Sequence, residues 1–134
     1  MYTYRVKKVH SVVDGDTIDV DIDLGFNVSY FQRVRLAGID TPESRTTDKR
    51  EKELGLEVKK KLKEILDSSK TIVIRTEKPD STEKYGRVLG WLFVDDAEKS
   101  VNETLIASGY AWEYGGGTKI KDFDALLAKR NSVK

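Results

Sequence analysis

The run from Val34 to Glu43 carries the residues best suited to chemistry: it ends a predicted strand with a carboxylate, a proline turn and a second carboxylate. Asp40 and Glu43 lie three residues apart. Between them Pro42, with φ fixed at about −65° and no N–H, stiffens the turn and holds both acids near one spot. Arg35, upstream on the same run, brings a planar and permanently charged fork toward an anion that the carboxylates alone would repel. Acids for a cation and a guanidinium for a phosphate suit a metal-assisted attack on a phosphodiester. A further acidic turn, Asp14-Gly15-Asp16, precedes this run. After it Ile18, Val20, Ile22 and Leu24 alternate with Asp19, Asp21 and Asp23, so the first set faces a core and the second faces solvent. Asp16 is in phase with the apolar set. A carboxylate aimed there needs a partner, because burying an unpaired charge is costly, and a bound cation is one such partner.

The elements that must position these groups follow from periodicity. Tyr2 to Val13 reads as a half-buried strand, and the alternating run after Asp16 as a second. Gly25-Phe26-Asn27 turns the chain into a third strand, Val28 to Ile39, which carries Arg33 and Arg35 opposite Val34 and Leu36. Ser44 to Glu53 has no apolar period and is expected to be a surface loop or a poorly anchored turn. From about Leu54 the period becomes helical, with Leu54, Val58, Leu62, Ile65 and Leu66 on one face, and Asp67-Ser68-Ser69 ends the helix. Thr71 to Thr76 and Val88 to Val94 complete five strands. Ser100-Val101-Asn102-Glu103 is a capping box for a short helix through Ser108 with Gly109 as its stop. Phe123, Leu126 and Leu127 form one face of a third short helix. The predicted fold class is α+β, mainly β: a five-stranded oligonucleotide-binding (OB) barrel with two to three helices, one packed after the third strand.

Bulk properties narrow the function classes. A length of 134 residues predicts one domain spanning 1–134. The absence of cysteine excludes disulfides and thiolate metal sites. Twenty-four basic and 23 acidic side chains nearly cancel, so a polyanion must be held by a local patch rather than by bulk charge. The N-terminus has no apolar signal-peptide stretch and the chain no uncharged apolar run of membrane-spanning length, so as written it is expected to be soluble, cytoplasmic and without membrane contact.

With Val13-Asp14-Gly15-Asp16-Thr17, Arg35-Leu36, Gly38-Ile39-Asp40-Thr41-Pro42-Glu43 and Lys84-Tyr85-Gly86-Arg87 in this order, and more weakly Val101-Asn102 with Gly109 and Ala111, the chain resembles the staphylococcal nuclease (thermonuclease) family from about Tyr2 to Tyr114. The resemblance implies a five-stranded barrel and calcium-dependent hydrolysis of DNA and RNA, with single-stranded or easily opened regions preferred, and a monomer is expected. It makes Asp16, Asp40 and the carbonyl of Thr41 the calcium ligands, with Asp14 behind them. Glu43 becomes the general base or the group that orients the attacking water, Arg35 and Arg87 bind the scissile phosphate, and Lys84 and Tyr85 contact a neighbouring one. Two features depart from the family. Tyr110, Trp112 and Tyr114 differ in spacing from its aromatic pair, and its long basic C-terminal helix is reduced to Lys119–Lys134.

Each piece also has a plainer reading. Asp14-Gly15-Asp16 alone is an ordinary turn, and no register of it makes a helix-hand calcium loop, because the glycine required at the sixth position falls on Asp19 or Leu24. Asp40-Thr41-Pro42 equally fits a helix cap. Arg33 reads as a solvated strand residue, His10 as a strand side chain without chemistry, and Arg87 as a turn charge unless its family position is taken into account. The aromatic residues from Tyr110 to Tyr114 suit a hydrophobic rim as well as base stacking. Two rival functions remain at this point: a non-catalytic OB-fold nucleic-acid-binding module, and an interaction domain that binds calcium only for structure.

Overall fold

The computed structural model describes residues 2–77, 88–115 and 121–132. Its elements in chain order are β1 (Tyr2–Asp14), β2 (Thr17–Asp23), β3 (Ser29–Leu36), β4 (Ile39–Asp40), α1 (Lys49–Asp67), β5 (Ile72–Thr76), β6 (Val88–Val94), α2 (Val101–Ala107), β7 (Trp112–Glu113) and α3 (Phe123–Ser132). Five of the strands close into a barrel in the order β1-β2-β3-β6-β5, with β3 and β6 parallel and the other pairs antiparallel. Closure removes the open edges that a five-stranded sheet would otherwise expose. The long β1 makes closure possible: three register shifts against β2, the last between Val12 and Asp14, coil it so that its first residues pair with β5. The expected mainly β, α+β barrel with a helix after its third strand is therefore present.

Alternation sets the core. Ile18, Val20 and Ile22 of β2, Val34 and Leu36 of β3, Ile74 of β5 and Leu92 of β6 point inward and are buried. Asp19, Asp21 and Asp23 face outward, where β3 sets Arg33, Phe31 and Ser29 opposite them. Two sequence expectations shift at the ends of this pattern. Leu24 lies beyond the last residue of β2 and is half-exposed, because the chain already turns through Gly25, Phe26 and Asn27, all at positive φ. The run expected from Val28 to Ile39 splits, since Gly38 at φ +76° breaks it and sends Ile39 and Asp40 into a separate pairing with β7.

Helix α1 begins earlier than apolar periodicity predicts, at Lys49 instead of about Leu54. Asp48 caps it by accepting from the Glu51 N–H at 3.1 Å. The first turn lacks apolar residues because Lys49, Arg50 and Lys52 are exposed and the buried Glu51 meets polar partners, so its signal is the pair Asp48 and Glu51, spaced as in a capping box. Farther along, Leu54, Val58, Leu62 and Leu66 are buried on the barrel. Helix α2 follows its predicted capping box, with the Ser100 side chain accepting from the Glu103 N–H at 3.0 Å. Within it the buried Asn102 ties three segments together: its carboxamide oxygen accepts from Leu92 N–H at 3.1 Å, while its nitrogen donates to the carbonyls of Ala37 at 2.8 Å and Gly90 at 3.2 Å. Helix α3 buries Leu126, and its Arg130 lies over the Tyr110 ring. No helix among the described residues is long and apolar enough to cross a membrane.

Candidate active site

Two turns and a strand end converge at one end of the β2–β3 ladder. Asp14 and Thr17 pair across a two-residue turn of Gly15 and Asp16. Thr17 in turn pairs with Arg35 near the end of β3. The Asp16 carbonyl accepts from Leu36 N–H at 2.8 Å, which ties the acidic turn to the strand that leads to Asp40. Pairing of Asp40 with Trp112 of β7 and donation by Tyr114 N–H to the Gly38 carbonyl at 2.9 Å fix the other side of that corner. Asp14, Asp16, Thr17, Arg35, Asp40, Thr41, Pro42 and Glu43 line one cavity of about 130 Å³. The sequence-predicted residues at positions 14, 16, 35, 40, 41 and 43 therefore meet in space, whereas Lys84, Tyr85 and Arg87 lie outside the described residues.

Helix α1 presses on both acidic turns. A Cβ on Gly15 would stand 2.5 Å from a Val58 methyl carbon, and one on Gly55 would stand 2.4 Å from the Glu43 carbonyl oxygen. At both positions the close approach, rather than a special φ, requires glycine. The Asp14 carboxylate accepts a short hydrogen bond from the Ser44 hydroxyl, so the two turns are also joined to each other.

Arg35 is the electrostatic centre. Its side chain is 9% exposed, and its fork donates to the carbonyls of Leu36 at 2.7 Å and Ile39 at 2.8 Å. The same guanidinium stands 3.5 Å from a carboxylate oxygen of Asp16 and 3.8 Å from one of Asp40. The carbonyls orient the cation, and its longer contacts offset the charge of two acids that would otherwise repel. Asp16 is further fixed by the Thr17 hydroxyl, which donates to it at 3.0 Å.

Asp16, Asp40 and the Thr41 carbonyl present only oxygen donors, the type that suits a hard cation. The cavity exceeds the ~30 Å³ that one water occupies, which leaves room for water or substrate oxygens beside an ion. Among the described residues no three His, Cys, Asp or Glu side chains converge on one point. A cation here would therefore depend on carbonyl and exogenous oxygens as well as two carboxylates.

Three neighbours escaped sequence reasoning. Glu51 is buried in the first turn of α1 and accepts from the Glu43 N–H at 3.1 Å. Its only signal was the capping pattern. Lys121 donates to Glu51 at 2.7 Å across 70 residues of chain, and Ser44 reaches Asp14; nothing local in the sequence marks either contact. The aromatic residues from Tyr110 to Tyr114 are divided by the fold. Tyr110 packs against the core, Trp112 donates its indole N–H to the Asp122 carbonyl at 3.1 Å, and Tyr114 lines a separate cleft of about 560 Å³ with Trp91 and Ile106. His10 sits on the outer sheet face, 2.9 Å from Asp21 and edge-on to Phe31, far from these groups in register.

Known proteins resemble this chain over most of its length. Residues 33–132 match the family described as staphylococcal nuclease homologue; the match begins downstream of Asp14 and Asp16, which the β1–β2 turn delivers to the cavity. The prophage-derived endonuclease YokF of Bacillus subtilis is 36% identical over 113 residues, covering 82% of this chain and 36% of the relative. Endonuclease YncB of the same organism is 34% identical over 113 residues, covering 82% of this chain and 50% of the relative. An uncharacterized protein of Methanocaldococcus jannaschii is 29% identical over 133 residues, covering 86% of this chain and 62% of the relative. The chain thus spans between about a third and two thirds of the length of these relatives. With three quarters of its residues matched, the chain belongs to the staphylococcal nuclease homologue family.

Proposed function

We propose that the chain, as a single domain over residues 1–134, is a calcium-dependent nuclease that hydrolyses phosphodiester bonds of DNA and RNA with little sequence preference. The observation that carries this reading is the convergence of Asp16, Arg35, Asp40, Thr41 and Glu43 on one cavity. Family membership and two relatives named as endonucleases support it. A module that only bound nucleic acid would have no need of a buried and a partly buried acid beside a buried guanidinium.

Asp16, Asp40 and the Thr41 carbonyl would hold the cation, with Asp14 and Ser44 steadying the turn behind them. When bound, calcium supplies a Lewis acid that polarises a phosphoryl oxygen, and its flexible oxygen coordination leaves positions for phosphate and water. Glu43 orients the attacking water and accepts its proton. Arg35 binds nonbridging oxygens and offsets the charge that builds as phosphorus becomes pentacoordinate, with Arg87 assigned the same work by its place in the family motif. None of these groups reads a base edge, so cleavage follows access to the backbone and favours single-stranded or easily opened regions.

Digestion of plasmid and of RNA tests the reading. Calcium should support cleavage and a chelator abolish it, while magnesium, which demands a smaller regular octahedron, supports much less. Glu43→Gln should fold and bind substrate normally yet turn over about two to four decades more slowly. Near-normal turnover in that variant would remove Glu43 from the mechanism, and calcium-dependent binding without cleavage in the wild type would identify a binding module instead.

A further inference from the structure

Glu43 is the most exposed acid of the site, with a side chain 55% accessible, yet the proposed chemistry needs its carboxylate held in one direction. Its backbone is fixed on both sides: the N–H donates to Glu51 at 3.1 Å, and the carbonyl lies against Gly55. The carboxylate has a different restraint. Lys121 Nζ stands 3.8 Å from Glu43 Oε1 and donates to Glu51 Oε2 at 2.7 Å, the same oxygen that receives the Glu43 N–H. One buried carboxylate therefore fixes both the backbone of Glu43 and the cation facing its side chain.

Lys121 is itself well anchored. Its neighbour Asp122 caps α3, accepting from Ala125 N–H at 3.0 Å through its carboxylate and from Leu126 N–H at 3.2 Å through its carbonyl. That carbonyl also receives the Trp112 indole at 3.1 Å. Trp112 pairs with Asp40, so the strand that fixes one site acid also fixes the segment carrying the lysine. Burial works against the charge on Lys121, but the Glu51 hydrogen bond and the charges of Glu43, Glu51 and Asp40 outweigh it and raise the ammonium above its ordinary pKa. The lysine is thus a cation throughout the neutral range.

We propose that Glu51 and Lys121 are positioning residues for the hydrolytic step, a clamp built from the first turn of α1 and the approach to α3 that aims the Glu43 carboxylate at the attacking water. The proposal rests on the reading of Glu43 as the group that handles that water. A misplacement of about 1 Å at such a group can cost up to about a hundredfold in rate, so loss of the clamp should appear in kcat rather than in substrate binding.

The test is a set of kinetic measurements on a fluorogenic single-stranded oligonucleotide with calcium, each variant checked by its melting temperature. Lys121→Met should lower kcat about tenfold with KM unchanged, Lys121→Arg should recover most of it, and Glu51→Gln, which keeps an acceptor but loses the ion pair, should match Lys121→Met. In a Glu43→Gln background, followed by single turnover with excess enzyme, Lys121→Met should cause no further loss. Wild-type kcat in both Lys121→Met and Glu51→Gln would overturn the clamp. So would an effect confined to KM, or an equal fractional loss with and without Glu43, since either would place Lys121 on the substrate. Should Lys121→Met prove unstable, Glu51→Gln decides the matter alone by the same criteria. A fully active Glu43→Gln would remove the underlying reading and the clamp with it, a pattern distinct from an inactive Glu43→Gln beside an unaffected Lys121→Met.

Discussion

Arg33 and Arg35 lie two residues apart on one strand with nominally the same orientation, but they inhabit opposite electrostatic worlds. Arg33 is directly paired with Asp19 and clasps it through two hydrogen bonds, at 2.8 and 3.1 Å, with the arginine side chain 52% exposed. Arg35 is buried, spends its short hydrogen bonds on the Leu36 and Ile39 carbonyls, and meets Asp16 and Asp40 only at 3.5 and 3.8 Å. The outer pair is complete in itself. The inner guanidinium balances two acids without clasping either, which is the arrangement expected where both acid and base must engage a third party. What separates the two is coverage: the chain from Ala37 to Glu43 folds over the end of β3 and leaves Arg33 outside.

Removing each arginine should expose that difference. Arg35→Ala removes the donor to two carbonyls and a cation from beside Asp16 and Asp40, and is expected to cost about 3–5 kcal/mol of stability and about a hundredfold or more in cleavage rate. Calorimetry and a digestion assay measure both losses. Arg35→Lys keeps the charge but not the fork and should still lose at least about tenfold in turnover. If Arg33→Lys proves the more damaging change, the two arginines have been assigned the wrong way round.

A smaller effect sharpens the role of the cover. Gly55→Ala places a methyl 2.4 Å from the Glu43 carbonyl oxygen, and backbone cannot yield as a side-chain tip does. A destabilisation of about 1–3 kcal/mol is expected, together with a fall in turnover as Glu43 is displaced. A variant that melts and cleaves like the wild type would show that the helix does not set this turn.

The smallest effect belongs to the outer pair. The Arg33 hydrogen bond, opposed by burial and helped by Arg33's charge, Ser11 and His10, holds the Asp19 carboxyl below its ordinary pKa. A group depressed in the folded state adds stability above its unfolded pKa and loses that contribution as pH falls through the folded value. Arg33→Ala should therefore cost less than about 1 kcal/mol at neutral pH. The difference between variant and wild type should shrink below about pH 4, leaving cleavage at neutral pH essentially unchanged. Melting curves at pH 7 and pH 3 check this directly.

Much of this was legible in the sequence because it is local. Alternation from Ile18 to Ile22 fixed the barrel wall, and the two acidic turns and Arg35 announced themselves by residue type. What escaped is non-local or lacks an apolar pattern. The first turn of α1 is polar because all of it but Glu51 is exposed, so hydrophobic periodicity missed it and only Asp48 with Glu51 marked it. Arg33 and Arg35 have the same parity, and only the fold of Ala37 to Glu43 over the strand end distinguishes them. Lys121 meets Glu51 across 70 residues, a contact that no spacing rule reveals.

In the proposed reaction Asp16 and Asp40 hold the cation on which cleavage depends. Calcium titrated into wild type, Asp16→Ala and Asp40→Ala, with melting temperature and nucleic acid cleavage followed in the same samples, decides whether they do. The wild type should gain stability with calcium by mass action, more so with a nucleotide phosphate present, and cleave only when the ion is there. Both variants should lose that stabilisation and the cleavage together. Cleavage that survives a chelator, or calcium stabilisation that persists unchanged in both variants, would rule out a catalytic cation on these two acids.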